Sequence, residues 1–186
     1  RIESYVEKLI EKEVNKFVVA GCERFGGGLT HPKYFDDLVY KYDKHLVNLI
    51  HKKNGIAQVH MHGKVKNYLG KIIDMDFDCI EPVEQPPGGD LTLKEAREIV
   101  GEKMCILGNM DDLQFLYTAT ETQIIKRSLQ AILDAGINGN YILGGTSSSI
   151  FTENIANAFL LIAKVSKEYG NYPIDIGRIK NYLNSL

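Results

Sequence analysis

Two histidines one residue apart, His60 and His62, are the side chains in this sequence best suited to chemistry. They follow the apolar run 56–59, which is typical of a buried strand. Side chains two positions apart in a strand share a face, and their Cα atoms lie about 6.5 Å apart. Both imidazoles could therefore reach one metal ion at about 2.0–2.1 Å, or form an acid and base pair. Equally, one ring could be packed in the interior while the other faces solvent.

The chain has the composition of an ordinary globular protein. It contains 186 residues, of which 44% are hydrophobic and 25% charged, with a formal charge of -2, and this length allows a sizeable core. Its basic residues are dispersed along helix-like segments, which argues against a nucleic-acid partner. It has no apolar run of membrane-spanning length and no signal segment at its start, so we expect no membrane partner and a cytoplasmic location. Its three cysteines lack CxxC spacing, which favours reduced thiols.

Short apolar runs alternate with longer amphipathic segments along the whole chain. The apolar runs predict strands at residues 16–20, 56–59, 78–80, 103–107 and 140–143. The amphipathic segments predict helices at residues 32–53, 65–75, 92–100, 120–135 and 153–169. Thr92 and Thr120 each precede a Glu or Gln by three residues, which predicts capping boxes. The alternation indicates an α/β fold with parallel strands, either a doubly wound sheet or a (β/α) barrel.

The loops that follow the predicted strands hold most of the chain's Gly, His and Ser residues. These loops are residues 22–30, 60–64, 81–90, 108–113 and 144–152. In both architectures such loops gather at the carboxyl edge of the sheet, where ligands bind, so the histidine pair lies on the expected active face. The strand and helix alternation continues beyond the Pro- and Gly-rich segment 84–90. We therefore expect residues 1–186 to form a single domain.

Five β/α units are fewer than the eight that close a barrel. The chain also begins with Arg1 rather than a methionine. We expect an incomplete TIM-type barrel that lacks its first strands and exposes two strand edges. A missing amino-terminal segment or a second copy of the chain, as a homodimer, would cover those edges.

Several motifs, taken in order and spacing over about residues 18–173, resemble the uroporphyrinogen decarboxylase superfamily. They are Glu23-Arg24-Phe25-Gly26-Gly27, His60-Met61-His62-Gly63, Leu107-Gly108-Asn109-Met110-Asp111, Tyr141-Ile142-Leu143-Gly144-Gly145 and Thr152-Glu153-Asn154-Ile155. The chain resembles the carboxyl-terminal half or more of these proteins, and is closer to the corrinoid-dependent methyltransferases among them. The resemblance implies a (β/α)8 barrel of which this chain holds the last five strands.

The resemblance also implies a metal site with altered ligands. Methyltransferases of this superfamily that act on thiols such as coenzyme M hold zinc with a His-x-Cys pair, matching His60 and His62, and with a cysteine after the last strand. This chain has imidazole in place of the first thiol, and residues 146–149 contain no thiol. Because zinc accepts nitrogen and oxygen ligands, we predict His60, His62 and Glu81 as metal ligands and catalytic residues. Glu84 is an alternative oxygen ligand, and Cys22 is a further candidate ligand or nucleophile.

The predicted reaction is methyl transfer to a small-molecule thiol. The resemblance implies zinc as cofactor and a corrinoid, carried by a partner protein, as methyl donor. A metal would activate the thiol by stabilising its thiolate. We predict that the substrate is bound by polar side chains in the same loops, namely Glu23, Asn109, Asp111 and Ser147.

Two alternatives remain open at this stage. The chain could belong to a porphyrinogen decarboxylase of haem biosynthesis, completed by an amino-terminal segment that carries the substrate-binding arginines and aspartate. The histidine that such an enzyme has in the loop matching residues 144–149 is missing. The chain could instead be a barrel remnant without catalysis that serves as a binding or assembly module.

Overall fold

The computed structural model describes residues 1–146 and 152–186, which form an α/β fold around one parallel sheet. The five strands are β1 (Lys16–Val19), β2 (Ile56–His60), β3 (Cys79–Glu81), β4 (Cys105–Met110) and β5 (Tyr141–Gly145). All five overlap the predicted apolar runs, with bounds that differ by up to three residues. The prediction of an α/β fold with five parallel β/α units is therefore confirmed.

The order of the strands separates the two predicted architectures. Each strand pairs in parallel with the next one along the chain, in the order β1-β2-β3-β4-β5. A doubly wound sheet instead reverses its direction at a switch point. Consecutive order throughout is the arrangement of a barrel wall, here with five strands where a closed barrel has eight.

The helices differ from the predicted ones in two ways: helices at residues 2–10, 23–26 and 176–185 were not predicted, and some predicted helices are shortened or interrupted. They are α1 (Ile2–Ile10), α2 (Glu23–Gly26), α3 (Lys41–His51), α4 (Leu69–Asp74), α5 (Leu93–Val100), α6 (Glu121–Ala131), α7 (Glu153–Tyr169) and α8 (Ile176–Ser185). The structure also contains short turns that are not α-helical. They are a 3₁₀ turn at Pro32–Tyr34 and π-helical turns at Asp36–Tyr40, Asp112–Leu116 and Ile132–Gly136. Amphipathic periodicity does not distinguish a wide turn from an α-turn, so residues 32–53 and 120–135 were each predicted as one helix.

The main hydrophobic core lies between the sheet and helices α3, α4 and α5. Ala57 and Val59 of β2 point into this core and are fully buried. The other face of the sheet is open, since Val18, Ile56 and Ile142 are 62%, 46% and 52% exposed. The side-chain alternation of the strands thus gives one packed face and one uncovered face. No helix in the described ranges is long and apolar enough to cross a membrane.

Capping boxes begin α5 and α6, as predicted. The Thr92 hydroxyl accepts a hydrogen bond from the Glu95 backbone N–H at 3.2 Å, and the Thr92 N–H donates to the Glu95 carboxylate at 2.8 Å. Thr120 and Gln123 form the same reciprocal pair at the start of α6. Two otherwise unpaired backbone donors are satisfied at each helix start.

We expect Thr92→Ala to lower the free energy of unfolding by about 1 kcal/mol, because the first turn of α5 loses its side-chain acceptor. Denaturant unfolding followed by circular dichroism measures this change. The matched control is Thr122→Ala, which alters an exposed threonine inside α6 and should leave stability equal or slightly higher. Equal effects of the two substitutions would contradict a capping role for Thr92.

Candidate active site at the carboxyl edge of the sheet

His60 is the last residue of β2 and lies between two carboxylates. The β2–β3 register places it opposite Glu81, and its Nδ1 lies 3.3 Å from Glu81 Oε2. Its Nε2 lies 3.0 Å from Glu23 Oε1. The Gln58 side-chain amide donates to Glu81 Oε2 at 2.7 Å and fixes that carboxylate. The imidazole of His60 is therefore held in one orientation from both ring nitrogens.

His62 lies past the end of β2 and has a carboxylate of its own. Its Nδ1 is 3.0 Å from Glu84 Oε1, while the Gly63 backbone N–H donates to Glu84 Oε2 at 2.6 Å. The hydrogen bond to Glu84 raises the pKa of His62. The same hydrogen bond lowers the pKa of Glu84. The two groups thus form an ion pair at mildly acidic pH.

Glu23, at the start of α2, completes a three-residue cluster with the histidines. One ligand atom from each of Glu23, His60 and His62 can be chosen so that all lie within 4.8 Å of one another. The two imidazole rings meet edge to face, with centroids 4.7 Å apart. The two rings thus lie side by side, which is one of the two arrangements that the sequence leaves open, although only His60 belongs to the strand. All three side chains are partly buried, which leaves an open side for a ligand.

A close backbone crossing fixes α2 against the histidine turn. An ideal Cβ on Gly26 would lie 1.9 Å from the His62 carbonyl oxygen, so only glycine fits there. The Lys64 N–H donates to the Gly26 carbonyl at 2.9 Å, and Gly63 has φ +84°. Gly26 lies in the loop that the sequence predicts after β1, at residues 22–30. Its physical role is to let α2, and with it Glu23, approach the histidines.

Cys22 is not brought into this cluster. Its side chain is fully buried, and its thiol hydrogen bonds Asp43 Oδ2 at 3.7 Å. Burial first, and then the neighbouring Asp43 carboxylate, raise the pKa of the Cys22 thiol far above its ordinary value. The Cys22 thiol is therefore held in its protonated form, which is neither nucleophilic nor a good metal ligand.

The other predicted substrate-binding residues lie apart from the Glu23–His60–His62 cluster. Asn109 is 2% exposed, and neither of its amide atoms has a hydrogen-bond partner in the structure as described. Asp111 caps the turn after β4, because its Oδ1 accepts hydrogen bonds from the N–H groups of Leu113 and Gln114 at 3.0 and 2.7 Å. Ser147 lies outside the described residues.

The sequence analysis did not identify two residues, Gln58 and Asp43, that hydrogen bond side chains predicted to belong to the site. Gln58, which orients Glu81, lies two residues before His60 and therefore on the same face of β2. That spacing was the signal that could have found it. Asp43 comes from α3, and no local pattern connects it to Cys22.

Comparison with known proteins identifies the family to which the chain belongs. The sequence model of uroporphyrinogen decarboxylase (URO-D) matches residues 2–167, which is most of the chain. The chain belongs to the URO-D family. The resemblance drawn from the motifs is thereby confirmed. No curated protein matches the chain by sequence.

Solved structures related to this URO-D family chain share its fold. A methyltransferase from Methanosarcina mazei superposes with a TM-score of 0.66 at 19% identity, covering 86% of this chain and 44% of that one. A fructose-bisphosphate aldolase from Slackia heliotrinireducens gives a TM-score of 0.54 at 13% identity, covering 97% of this chain and 57% of that one. The chain thus spans about half the length of each structure.

We expect Gly26→Ala to displace α2 from the histidine turn, since its Cβ would overlap the His62 carbonyl. The free energy of unfolding should fall by about 1–3 kcal/mol, as for other overpacked sites. Gly70→Ala is the control, because nothing lies within 4 Å of an added Cβ there and alanine favours a helix. Denaturant unfolding of both variants measures the difference, and a Gly26→Ala variant as stable as Gly70→Ala would contradict the crossing.

The His62–Glu84 pair should make stability depend on pH. The raised pKa of His62 gives a contribution that is complete below its ordinary value of 6.5 and is lost as pH rises through the folded-state pKa. The lowered pKa of Glu84 gives a contribution that is complete above its ordinary value of 4.5 and is lost as pH falls through the folded-state pKa. Both are complete together between pH 4.5 and 6.5.

The stability difference between the wild type and Glu84→Gln should therefore be largest in that window. Unfolding free energies of both proteins, measured in the presence of a chelator across a pH series, test this pH dependence. Glu98→Gln, at an exposed site in α5, serves as control and should give a difference that does not vary with pH. A flat profile for Glu84→Gln would rule out the ion pair.

Proposed function

We propose that this chain carries the metal site of a methyltransferase-like URO-D family protein, in which Glu23, His60 and His62 hold zinc. The observation that carries the proposal is that the Nδ1 atom of each histidine is paired with a carboxylate, His60 with Glu81 and His62 with Glu84. Proteins use carboxylate–histidine pairs of this kind behind metal-bound imidazoles, because the carboxylate fixes the ring and makes it more basic.

The donor set fits a catalytic rather than a structural zinc site. Two imidazole nitrogens and one carboxylate oxygen are ligands that zinc accepts, and three protein ligands leave one position open for substrate. In this arrangement Glu81 is a positioning residue, because it contacts His60 Nδ1 while His60 Nε2 faces Glu23. Glu84 has the same role for His62.

The reaction we propose is methyl transfer from a corrinoid on a partner protein to a small-molecule thiol. Bound zinc would lower the pKa of the thiol, so that the thiolate exists at neutral pH. A corrinoid bound by the partner would supply the methyl group: the thiol sulfur would bond to the methyl carbon, the carbon–cobalt bond would break with its electron pair left on cobalt, and the thiol proton would go to solvent. Glu81 and Glu84 keep both imidazoles oriented throughout. The methyltransferase from Methanosarcina mazei supports this choice at the level of the fold.

We expect the chelator-treated protein to bind one zinc ion, measured by calorimetry and by metal analysis of the purified protein. His60→Ala and His62→Ala should each abolish stoichiometric binding, and Glu81→Gln or Glu84→Gln should weaken it about 10–100-fold. His45→Ala is the control, because this exposed histidine contacts Glu3 away from the site. Unchanged zinc affinity in the His60 and His62 variants would overturn the metal site.

The same proteins test the reaction. Methylcobalamin and 2-mercaptoethanol are incubated with the zinc-loaded protein, and loss of the methyl–cobalt bond is followed by absorbance. We expect demethylation with the wild type and the His45→Ala protein, and none with His60→Ala. Carbon dioxide release from uroporphyrinogen instead of demethylation would favour the decarboxylase alternative.

A further inference from the structure

A cavity with several polar side chains in its wall lies at the carboxyl edge of the sheet, and its lining contains none of Glu23, His60 and His62. Its volume is about 280 Å³. Residues 85–87 after β3, the turn after β4 and one side of α6 form its walls. Asn109, Asp111 and Arg127 are its chemically informative residues.

Asn109 supplies this cavity with an amide that no described residue hydrogen bonds. The side chain is 2% exposed, and both Oδ1 and Nδ2 lack partners in the described part of the chain. A buried amide without hydrogen bonds destabilises the folded state, because it has lost its water without compensation. A ligand group that can both accept from Nδ2 and donate to Oδ1 removes that cost.

Arg127 and Asp111 place opposite charges on the wall of the same cavity. Arg127, on α6, is half-buried and makes no hydrogen bond or ion pair within residues 1–146 and 152–186. Asp111 uses Oδ1 for the two backbone N–H groups that it caps. Its Oδ2 accepts no hydrogen bond from any described residue. Among the described residues, the cavity therefore offers one guanidinium and one carboxylate oxygen that have no hydrogen-bond partner.

We propose that this cavity binds a small zwitterion of the amino-acid type. The ligand carboxylate is bound by the Arg127 guanidinium and Asn109 Nδ2, and the ligand ammonium donates to Asp111 and to Asn109 Oδ1. Guanidinium is well suited to carboxylate, because its parallel N–H groups match the two oxygens. A purely anionic ligand would be repelled by the Asp111 carboxylate, and a purely cationic ligand by the Arg127 guanidinium. Only a ligand with both charges is complemented at both ends.

This site goes beyond the proposed metal chemistry and does not depend on it. None of its three defining residues belongs to the Glu23–His60–His62 cluster. The ligand is accordingly a second small molecule with its own binding determinants, and its binding can be measured without zinc.

Three probes of similar size separate the charge requirements: L-alanine, propionate and ethylammonium. Binding is followed at neutral pH by calorimetry and by the side-chain amide signals of Asn109 in ¹H–¹⁵N NMR spectra. We expect saturable binding of L-alanine with a dissociation constant on the order of 1 mM. Propionate and ethylammonium should each bind at least about tenfold more weakly, since each leaves one charged group of the cavity unpaired.

Two substitutions test the residues. Arg127→Met and Asn109→Leu should each weaken L-alanine binding at least about tenfold, while Lys126→Met, at an exposed neighbouring position on α6, should not change it. Asn109→Leu should unfold at the same temperature as the wild type or higher, because it removes an unpartnered buried amide. This thermal measurement separates a lost ligand site from a lost fold.

His60→Ala distinguishes this proposal from the metal site. It should abolish zinc binding and leave L-alanine binding unchanged. Three results would overturn the zwitterion site: no saturable L-alanine binding, unaltered L-alanine affinity in both Arg127→Met and Asn109→Leu, or propionate binding as tight as that of L-alanine.

Discussion

In the β2–β3 pair, Gln58 lies opposite Cys79 and His60 lies opposite Glu81. This register puts Gln58, His60 and Glu81 on one face of the sheet, where the amide holds the carboxylate and the carboxylate holds the imidazole. The Met61 N–H continues the pairing beyond β2 by donating to the Glu81 carbonyl at 2.8 Å. His62 therefore lies beside the loop that follows β3, where it contacts Glu84. A slip of one residue would turn His60 toward the core. The geometry of the cluster therefore depends first on backbone pairing between two short strands.

The charges around the histidines explain why a cation suits this site. Three carboxylates, Glu23, Glu81 and Glu84, contact two imidazoles. These five groups therefore contain more acidic than basic side chains. In a partly buried setting such an excess is not fully screened by water. A bound divalent ion would offset this acidic excess. It would replace the contact between Glu23 and His60 Nε2 and leave the hydrogen bonds of Glu81 and Glu84 to the two imidazoles in place.

The sequence predicted the five strands because their apolar runs are short and regular, and it placed the histidines at the carboxyl edge for the same reason. The interruptions in the helices were not predictable from periodicity, since π-helical turns keep the apolar face. Glu23 was expected to bind substrate rather than to meet the histidines, because its position depends on contact between Gly26 and Gly63, 37 residues apart in the chain. The burial of Asn109 likewise depends on residues from other loops. Local sequence patterns therefore predict the strands and the edge of the sheet where the site lies. Contacts between residues far apart in the chain determine which side chains meet there.

The elements from which the candidate site is built also determine how it responds to oxidants. The side-chain atoms of its cluster that could bind a metal are nitrogen and oxygen, and the neighbouring Cys22 thiol is buried, protonated and hydrogen-bonded to Asp43. Peroxide reacts with exposed thiolates and converts them stepwise to sulfenic and higher acids. An imidazole and carboxylate cluster offers no such target. Because imidazole and carboxylate groups stand at this position, we expect it to tolerate oxidising conditions that modify exposed thiolates.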